Sequence, residues 1–219
     1  MKRDGKDLAI KIEGLRSRLV TTLKKKGITD EAVLAVIGKI PRHLFMDSSF
    51  YTHAYEDKAF SIGAGQTISQ PYTVAFQSQL LEISKGDKVL EVGTGSGYQT
   101  AVLLELGAKV YTIERQRELF VKTQRLLYSL SYQPTFFFGD GYEGKPVFSP
   151  FDKVIVTAGA PNIPRPLLEQ LAVGGRMVIP VGEGNAQKML VIDRVSEKKF
   201  TQKDCGSFAF VPLLKGTNG

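Results

Sequence analysis

The sequence predicts an α/β protein in which helices cover both faces of a mainly parallel, doubly wound sheet of about seven strands. From residue 87 onward, short runs rich in β-branched and aromatic residues alternate with longer segments of helical periodicity. A glycine-rich turn, residues 93–97, follows the first run, and an acid, Glu114, closes the second. Strands and helices that alternate at this spacing form right-handed crossovers and a parallel sheet that is buried on both faces.

Two helices are predicted to precede the sheet, within residues 1–40. Five apolar residues recur at spacings of three and four and form one helical stripe: Leu8, Ile12, Leu15, Leu19 and Leu23. A second helix is expected from an N-cap at Thr29 or Asp30 to the residue before Pro41.

The remaining elements follow from local patterns. Residues 41–70 show no periodicity and are expected to form an ordered irregular layer, and Pro71 suits the first turn of a third helix, residues 71–81. Strands are expected at 88–92, 109–113, 134–138, 153–156, 176–180, 188–195 and 208–211, with helices at 98–106, 115–130 and 166–171. Because a short polar connection separates the last two strands, the sheet should end in an antiparallel pair. One domain, residues 1–219, is expected, with a frayed tail at residues 216–219.

Composition favours a soluble, cytoplasmic protein, and a monomer is the default expectation. The shares of 42% hydrophobic and 23% charged residues are ordinary for a globular protein. No apolar stretch has membrane-spanning length, and the start of the chain lacks the pattern of a secretory signal. The single cysteine, Cys205, and two histidines exclude an internal disulfide and the usual zinc sites, so no metal is expected.

The net charge of +7 is concentrated near the start of the chain. Residues 1–26 carry nine Lys or Arg against three Asp or Glu, whereas the rest of the chain carries twenty against nineteen. This distribution favours a docked helix with a solvated basic face over a nucleic-acid-binding arm, although the second interpretation stays open.

The glycine turn and Glu114 together predict a nucleoside site at the carboxyl ends of the strands. Glycine lets the backbone approach a ligand closely, and an acid at the end of the second strand can accept hydrogen bonds from ribose hydroxyls. The third glycine of the dinucleotide pattern G-x-G-x-x-G would fall on Tyr98, which makes a pyrophosphate ligand a poor match. Asp140, between two glycines, is either an adenine contact or part of an ordinary turn.

Several segments of the sequence resemble those of a known enzyme family. Residues 89–101 resemble the S-adenosylmethionine loop of class I methyltransferases, and the Gly-Thr-Gly-Ser-Gly-Tyr form at 93–98 is similar to that of protein-L-isoaspartate O-methyltransferases. The Thr-Ile-Ser-Gln-Pro run at 67–71 resembles the segment that marks this family. Further matches lie at 54–57, 139–141, 155–158, 178–182 and 210–213.

The resemblance implies a Rossmann-like core and a repair activity. Methyl transfer from S-adenosyl-L-methionine, which leaves S-adenosyl-L-homocysteine, would esterify the free carboxylate of L-isoaspartyl residues in damaged proteins and peptides. The implied catalytic residues are Ser69 and Thr67. The implied cofactor residues are Glu91, Gly93, Thr94, Gly95, Ser96, Gly97, Tyr98, Glu114, Asp140, Gly141 and Thr157. The implied substrate residues are Ile62, Gly63, Gln70, Phe210, Val211 and Pro212, with His53 and Tyr55 as further candidates for the same cleft.

The chemistry of this reaction agrees with the residues available. An isoaspartyl carboxylate, with a pKa of roughly 3.5, is already ionised at neutral pH, so no general base is required. Neutral hydroxyls can orient it without the strong ground-state pairing of an arginine. The alternative for Ser69 and Thr67 is that both hydroxyls only cap the helix that begins at Pro71. The glycine loop and Glu114 are also compatible with a methyltransferase acting on a small molecule or RNA, with a nicotinamide-dependent dehydrogenase and with a non-catalytic cofactor-binding protein.

Overall fold

The computed structural model describes the backbone of residues 2–219 and the side chains of residues 11–219. Two helices come first, α1 (Lys2–Lys25) and α2 (Glu31–Lys39). Leu19 and Leu23 of the predicted stripe are buried, whereas the side chain of Leu8 lies outside the described residues. Asp30 is the N-cap of α2, and its carboxylate accepts hydrogen bonds from the backbone N–H groups of Ala32 and Val33 at 2.9 and 3.1 Å.

Residues 41–70 are more regular than predicted. They contain two 3-10 helices, Arg42–Phe45 and Ser48–His53, and an antiparallel hairpin of β1 (Phe60–Gly63) and β2 (Gln66–Ile68). Such short elements leave no periodic signal in the sequence, which is why they were missed.

Seven further strands form the predicted sheet. They are β3 (Lys88–Val92), β4 (Lys109–Glu114), β5 (Thr135–Phe138), β6 (Phe151–Val156), β7 (Leu171–Val181), β8 (Gln187–Arg194) and β9 (Phe200–Phe208). The helices are α3 (Pro71–Leu81), α4 (Tyr98–Glu105), α5 (Arg117–Ser129) and α6 (Arg165–Glu169), with a 3-10 turn at Pro146–Phe148. The strand order is β5-β4-β3-β6-β7-β8-β9, with β3 to β7 parallel and the last two pairings antiparallel. The predicted fold class is therefore confirmed.

This strand order positions a ligand site. The chain builds outward from β3 through β4 to β5, and then returns to place β6 on the opposite side of β3. In such sheets the crevice beyond the carboxyl ends of the strands at the reversal is where ligands bind. Alternate residues of β3 belong to different cores, with Leu90 and Val92 in one and Val89 in another, so both faces of the sheet are covered.

The last strand lies earlier in the chain than predicted. The expected strand at 208–211 is wrong, because β9 ends at Phe208 and the following residues leave the sheet. Most residues of β9 are exposed at the edge of the sheet, and its polar sequence lacks the alternation that identifies a half-buried strand. None of the helices in the described part of the chain combines the length and apolarity needed to cross a membrane.

Candidate active site

The glycine loop joins β3 to α4 and adopts a conformation that requires glycine. Gly93, Gly95 and Gly97 have φ angles of 95°, 53° and 82°, which side-chain-bearing residues rarely adopt. A Cβ atom on Gly93 would lie 2.5 Å from the hydroxyl oxygen of Thr157. The glycines therefore leave the loop backbone without side chains where it faces the crevice.

Glu114 fixes this loop from the end of β4. Its buried carboxylate accepts hydrogen bonds from the backbone N–H groups of Gly95 and Gln116, both at 2.8 Å. A carboxylate offers about four lone-pair positions, so about two remain for a ligand in the adjoining cavity. This arrangement fits a diol such as that of a ribose.

Thr157, the residue that follows β6, supports the loop. Its hydroxyl oxygen lies 2.6 Å from the carbonyl oxygen of Gly93 and 3.0 Å from that of Val92, and the hydroxyl donates to these carbonyls. Thr157 also lines the cavity next to the loop, so one side chain contacts both the loop and the ligand site.

A first cavity lies between the glycine loop, β2 and the segment that follows β9. Eight of the predicted cofactor residues line it: Gly93, Thr94, Gly95, Ser96, Tyr98, Glu114, Gly141 and Thr157. Three others, Glu91, Gly97 and Asp140, are not among the lining residues. The contacts of Glu91 and Asp140 show what these carboxylates do instead.

Asp140 fastens the segment that covers the cavity. Its carboxylate accepts hydrogen bonds from the backbone N–H groups of Tyr142 at 2.8 Å and Gly216 at 2.6 Å. Asn218 exchanges backbone hydrogen bonds with Arg115 and Arg117, both at 2.9 Å. The predicted frayed tail at residues 216–219 is therefore wrong, and we call residues 211–218 the closing segment.

Glu91 is fully buried behind the glycine loop. The hydroxyl of Thr100 donates to one carboxylate oxygen at 2.6 Å, and the other oxygen has no partner among the described residues. Burial raises the pKa of Glu91 from its usual 4.5 to about 8, so the carboxyl group is mostly protonated in the folded protein at neutral pH.

Glu91→Gln should therefore flatten the pH dependence of stability. The folded state holds this proton more tightly than the unfolded state, so wild-type stability should fall as the pH rises from about 4.5 towards 8. Wild-type stability should fall by on the order of 4 kcal/mol over this range, and the variant should lack this fall. Urea unfolding across this pH range measures the difference, with the exposed Glu13→Gln as the control. Parallel stability curves for wild type and Glu91→Gln would contradict the prediction.

Ser69 and Thr67 are not helix caps. The N-cap of α3 is Gln70, which makes no side-chain capping bond, and Asp57 accepts a hydrogen bond from the backbone N–H of Tyr72 at 2.7 Å. Neither hydroxyl has a hydrogen-bond partner within the described part of the chain, and both line the first cavity. These hydroxyls are therefore available to a ligand.

A second cavity of about 630 Å³ meets the first at these residues. Both cavities are lined by Thr67, Ser69, Thr157 and Val211. Of the other predicted substrate residues, Gln70 and Phe210 line the second cavity, whereas Pro212 lines the first.

The remaining candidates for the substrate cleft lie elsewhere. Ile62 and Gly63 line a separate groove beside Ser96. His53 pairs with Glu56 at 2.7 Å on the surface, and the buried Tyr55 lies 2.7 Å from the Nδ1 atom of His43. His53 and Tyr55 are not among the residues that line the second cavity.

Two residues of the site were missed by the sequence analysis. Arg42 is fully buried and donates to the carbonyl oxygens of Ala54 at 3.0 Å and Ser69 at 2.9 Å, with its guanidinium 4.7 Å from the ring centroid of Tyr98. Gln99 lines the first cavity from the first turn of α4. A lone arginine in an irregular segment and a glutamine in a helix give no sequence signal.

The strand order, the glycine loop and Glu114 are those expected of a class I methyltransferase, with a second cavity beside the nucleoside site. A sequence model described as Protein-L-isoaspartate(D-aspartate) O-methyltransferase (PCMT) matches residues 15–218. The chain belongs to this family.

Comparison with individual proteins agrees with this result. The chain is 66% identical to a protein-L-isoaspartate O-methyltransferase from Christiangramia forsetii over 94% of this chain and 97% of that one. It is 63% identical to a protein of the same name from Flavobacterium johnsoniae, over 97% and 100% of the two chains.

Solved structures share the fold. A structure named protein-L-isoaspartate O-methyltransferase superposes with a TM-score of 0.80 at 28% identity, covering 90% of this chain and 65% of that one. A Plasmodium falciparum structure in complex with S-adenosyl-L-homocysteine gives a TM-score of 0.79 at 24% identity, covering 90% of this chain and 97% of that one. At that identity the second comparison shows the fold alone.

Proposed function

We propose that the protein repairs damaged proteins and peptides by transferring the methyl group of S-adenosylmethionine to the free carboxylate of their L-isoaspartyl residues. The observation that carries this proposal is the position of the Ser69 and Thr67 hydroxyls. They have no partners within the described chain and lie where the two cavities meet. Family membership supplies the substrate and the cofactor class.

The residues of the first cavity fit the cofactor. The glycine loop allows close approach of a nucleoside, and Glu114 retains acceptor capacity for its ribose hydroxyls. Gly141 and Leu214 border the cavity near the closing segment, where an adenine ring can be enclosed. When bound, the cofactor supplies an electrophilic methyl group on a sulfonium centre.

The second cavity fits a peptide. Its volume of about 630 Å³ is within the usual range for ligand sites, and it lies open beside the end of β9. Tyr72 and Phe76 give it an apolar wall, while residues 205–208 of the edge strand β9 offer main-chain groups along one side. Main-chain recognition tolerates different neighbouring side chains, as a repair enzyme requires.

The roles proposed for Ser69 and Thr67 follow from the charge of the substrate. The isoaspartyl carboxylate needs no base, because its pKa of roughly 3.5 leaves it ionised. Charge is lost as the carboxylate is methylated, so strong pairing with a cation would favour the ground state. Two neutral hydroxyls orient the carboxylate and exclude water from it, and orientation alone can contribute on the order of 7 kcal/mol.

Peptide methylation tests the proposal directly. We expect radiolabelled S-adenosylmethionine to give base-labile label on an L-isoaspartyl peptide and none on the same peptide with L-aspartyl. Label on both peptides would contradict the substrate assignment. Cofactor binding without label on either peptide would support the fold assignment only. A small molecule or RNA would then be the substrate to test. Action as a cytoplasmic monomer stays a prediction.

A further inference from the structure

Three aromatic side chains, which we call the aromatic wall, lie together on one side of the second cavity. Tyr72 and Phe76 are four residues apart on α3 and so share one face of the helix, and Phe208 ends β9 beside them. Their ring centroids lie 5.0 to 6.1 Å apart, and their planes are inclined to one another by 13° to 30°. All three line the cavity and are half-buried, so each keeps accessible surface. Phe76 and Phe208 also pack against the hydrophobic core, which holds the wall in place.

The aromatic wall is close to the proposed carboxylate site. Ser69 lines the second cavity together with the wall. Tyr72 comes three residues after Ser69, so their Cα atoms are at most about 11 Å apart. An extended peptide advances about 3.3 Å per residue. A peptide whose isoaspartyl carboxylate reaches Ser69 therefore brings a side chain one or two positions away within reach of the wall.

The second cavity has an uncharged lining. In the part of the chain that the structure describes, none of its lining residues is Asp, Glu, Lys, Arg or His. Lys26 lies 5.6 Å from the ring centroid of Tyr72, but its ammonium group is paired with Asp57 at 2.6 Å. Asp204, which precedes the lining residue at 205, is paired with Lys188 at 2.8 Å. A charged substrate side chain would lose water against this wall without gaining a counter-ion.

We propose that the aromatic wall binds an aromatic side chain of the substrate, one or two positions from the isoaspartyl residue. This inference rests on the proposed function and specifies its peptide substrate further. An aromatic side chain buries apolar area on the wall and pairs with its rings, whereas a charged side chain does neither. The preference is graded, because main-chain contacts with the edge strand still admit other residues.

Methylation of a peptide series tests the proposal. The reference peptide has alanine at the two positions on each side of the isoaspartyl residue, and each of four further peptides has one of these alanines replaced by phenylalanine. We expect at least one phenylalanine peptide to have a kcat/KM about tenfold above that of the reference. The gain should appear mainly in KM, because the wall contacts the substrate equally before and during methyl transfer. Glutamate or lysine at the same position should give no gain.

Variants of the wall separate recognition from structure. In Phe208→Leu and in Phe76→Leu, the advantage of the phenylalanine peptide over the reference should fall from about tenfold to about twofold, since leucine is apolar but has no ring. The matched control is Phe200→Leu, because Phe200 is a half-buried residue of the same strand that does not line the cavity. It should retain the wild-type ratio. Thermal unfolding and the affinity for S-adenosylhomocysteine show whether each variant is folded.

The outcomes separate an error in this inference from an error in the proposed function. Equal kcat/KM for the phenylalanine, charged and reference peptides would overturn the aromatic preference and leave the methylation activity standing. A phenylalanine advantage that persists in both wall variants, or that falls equally in Phe200→Leu, would also overturn it. If the wild-type protein methylates none of the isoaspartyl peptides, the proposed function itself is wrong.

Discussion

Ser69→Ala should lower turnover of an isoaspartyl peptide by about a hundredfold or more and leave the affinity for S-adenosylhomocysteine within about twofold. The hydroxyl of Ser69 has no partner in the described chain and lies where the two cavities meet. Its loss removes one of the two groups that orient the carboxylate. Because Asp57 rather than Ser69 caps α3, the substitution should cost little stability.

Steady-state kinetics and calorimetry on the same preparations measure both quantities. Ser84→Ala is the matched control, since Ser84 is exposed and lies outside both cavities. Turnover that stays near the wild-type value would remove Ser69 from the mechanism. Loss of turnover and cofactor affinity together would indicate a folding defect instead.

Arg42→Met should destabilise the protein by about 2 to 4 kcal/mol and reduce turnover in the fraction that folds. Burial lowers the pKa of Arg42 to about 10, so the guanidinium is still charged at neutral pH. Among the described residues its direct partners are carbonyl oxygens and the ring of Tyr98, rather than a carboxylate. Removal leaves the buried carbonyls of Ala54 and Ser69 without this donor and frees the loop that carries the serine.

Urea unfolding and peptide turnover measure these two effects. Arg18→Met is a suitable control, because Arg18 is exposed on α1. Arg42→Lys should recover only part of the loss, since a single ammonium cannot reach the separated carbonyls as the planar guanidinium does. A stability change below about 0.5 kcal/mol in Arg42→Met would show that this interior cation does not hold the serine loop.

Local patterns in the sequence were sufficient for six of the seven strands of the large sheet and for the glycine loop. The positions of Gly93 and Glu114 follow from strand periodicity, because each lies at the carboxyl end of a strand and parallel strands end at one edge. The hairpin of residues 60–68 and strand β9 could not be predicted, since one is too short and the other too polar to produce a periodic pattern.

The roles of individual side chains depended on distant partners. Ser69 stands close before α3 in the sequence, where a cap is a reasonable expectation, but Asp57 reaches the backbone of Tyr72 from another segment. Asp140 follows its strand as expected, yet it binds the backbone of Gly216 from the far end of the chain. Such contacts join residues far apart in sequence, and no local signal records them.

The closing segment, residues 211–218, can couple the binding of the two ligands to each other. Val211 belongs to both cavities, while Leu213 bonds to the backbone of Gly159 at 2.8 Å and Gly216 bonds to Asp140. The closing segment is thus a wall of both cavities. If it moves when a ligand enters one cavity, the space in the other cavity changes. Any free-energy coupling of this kind is reciprocal. If a bound peptide raises the affinity for the cofactor, the bound cofactor raises the affinity for the peptide by the same factor.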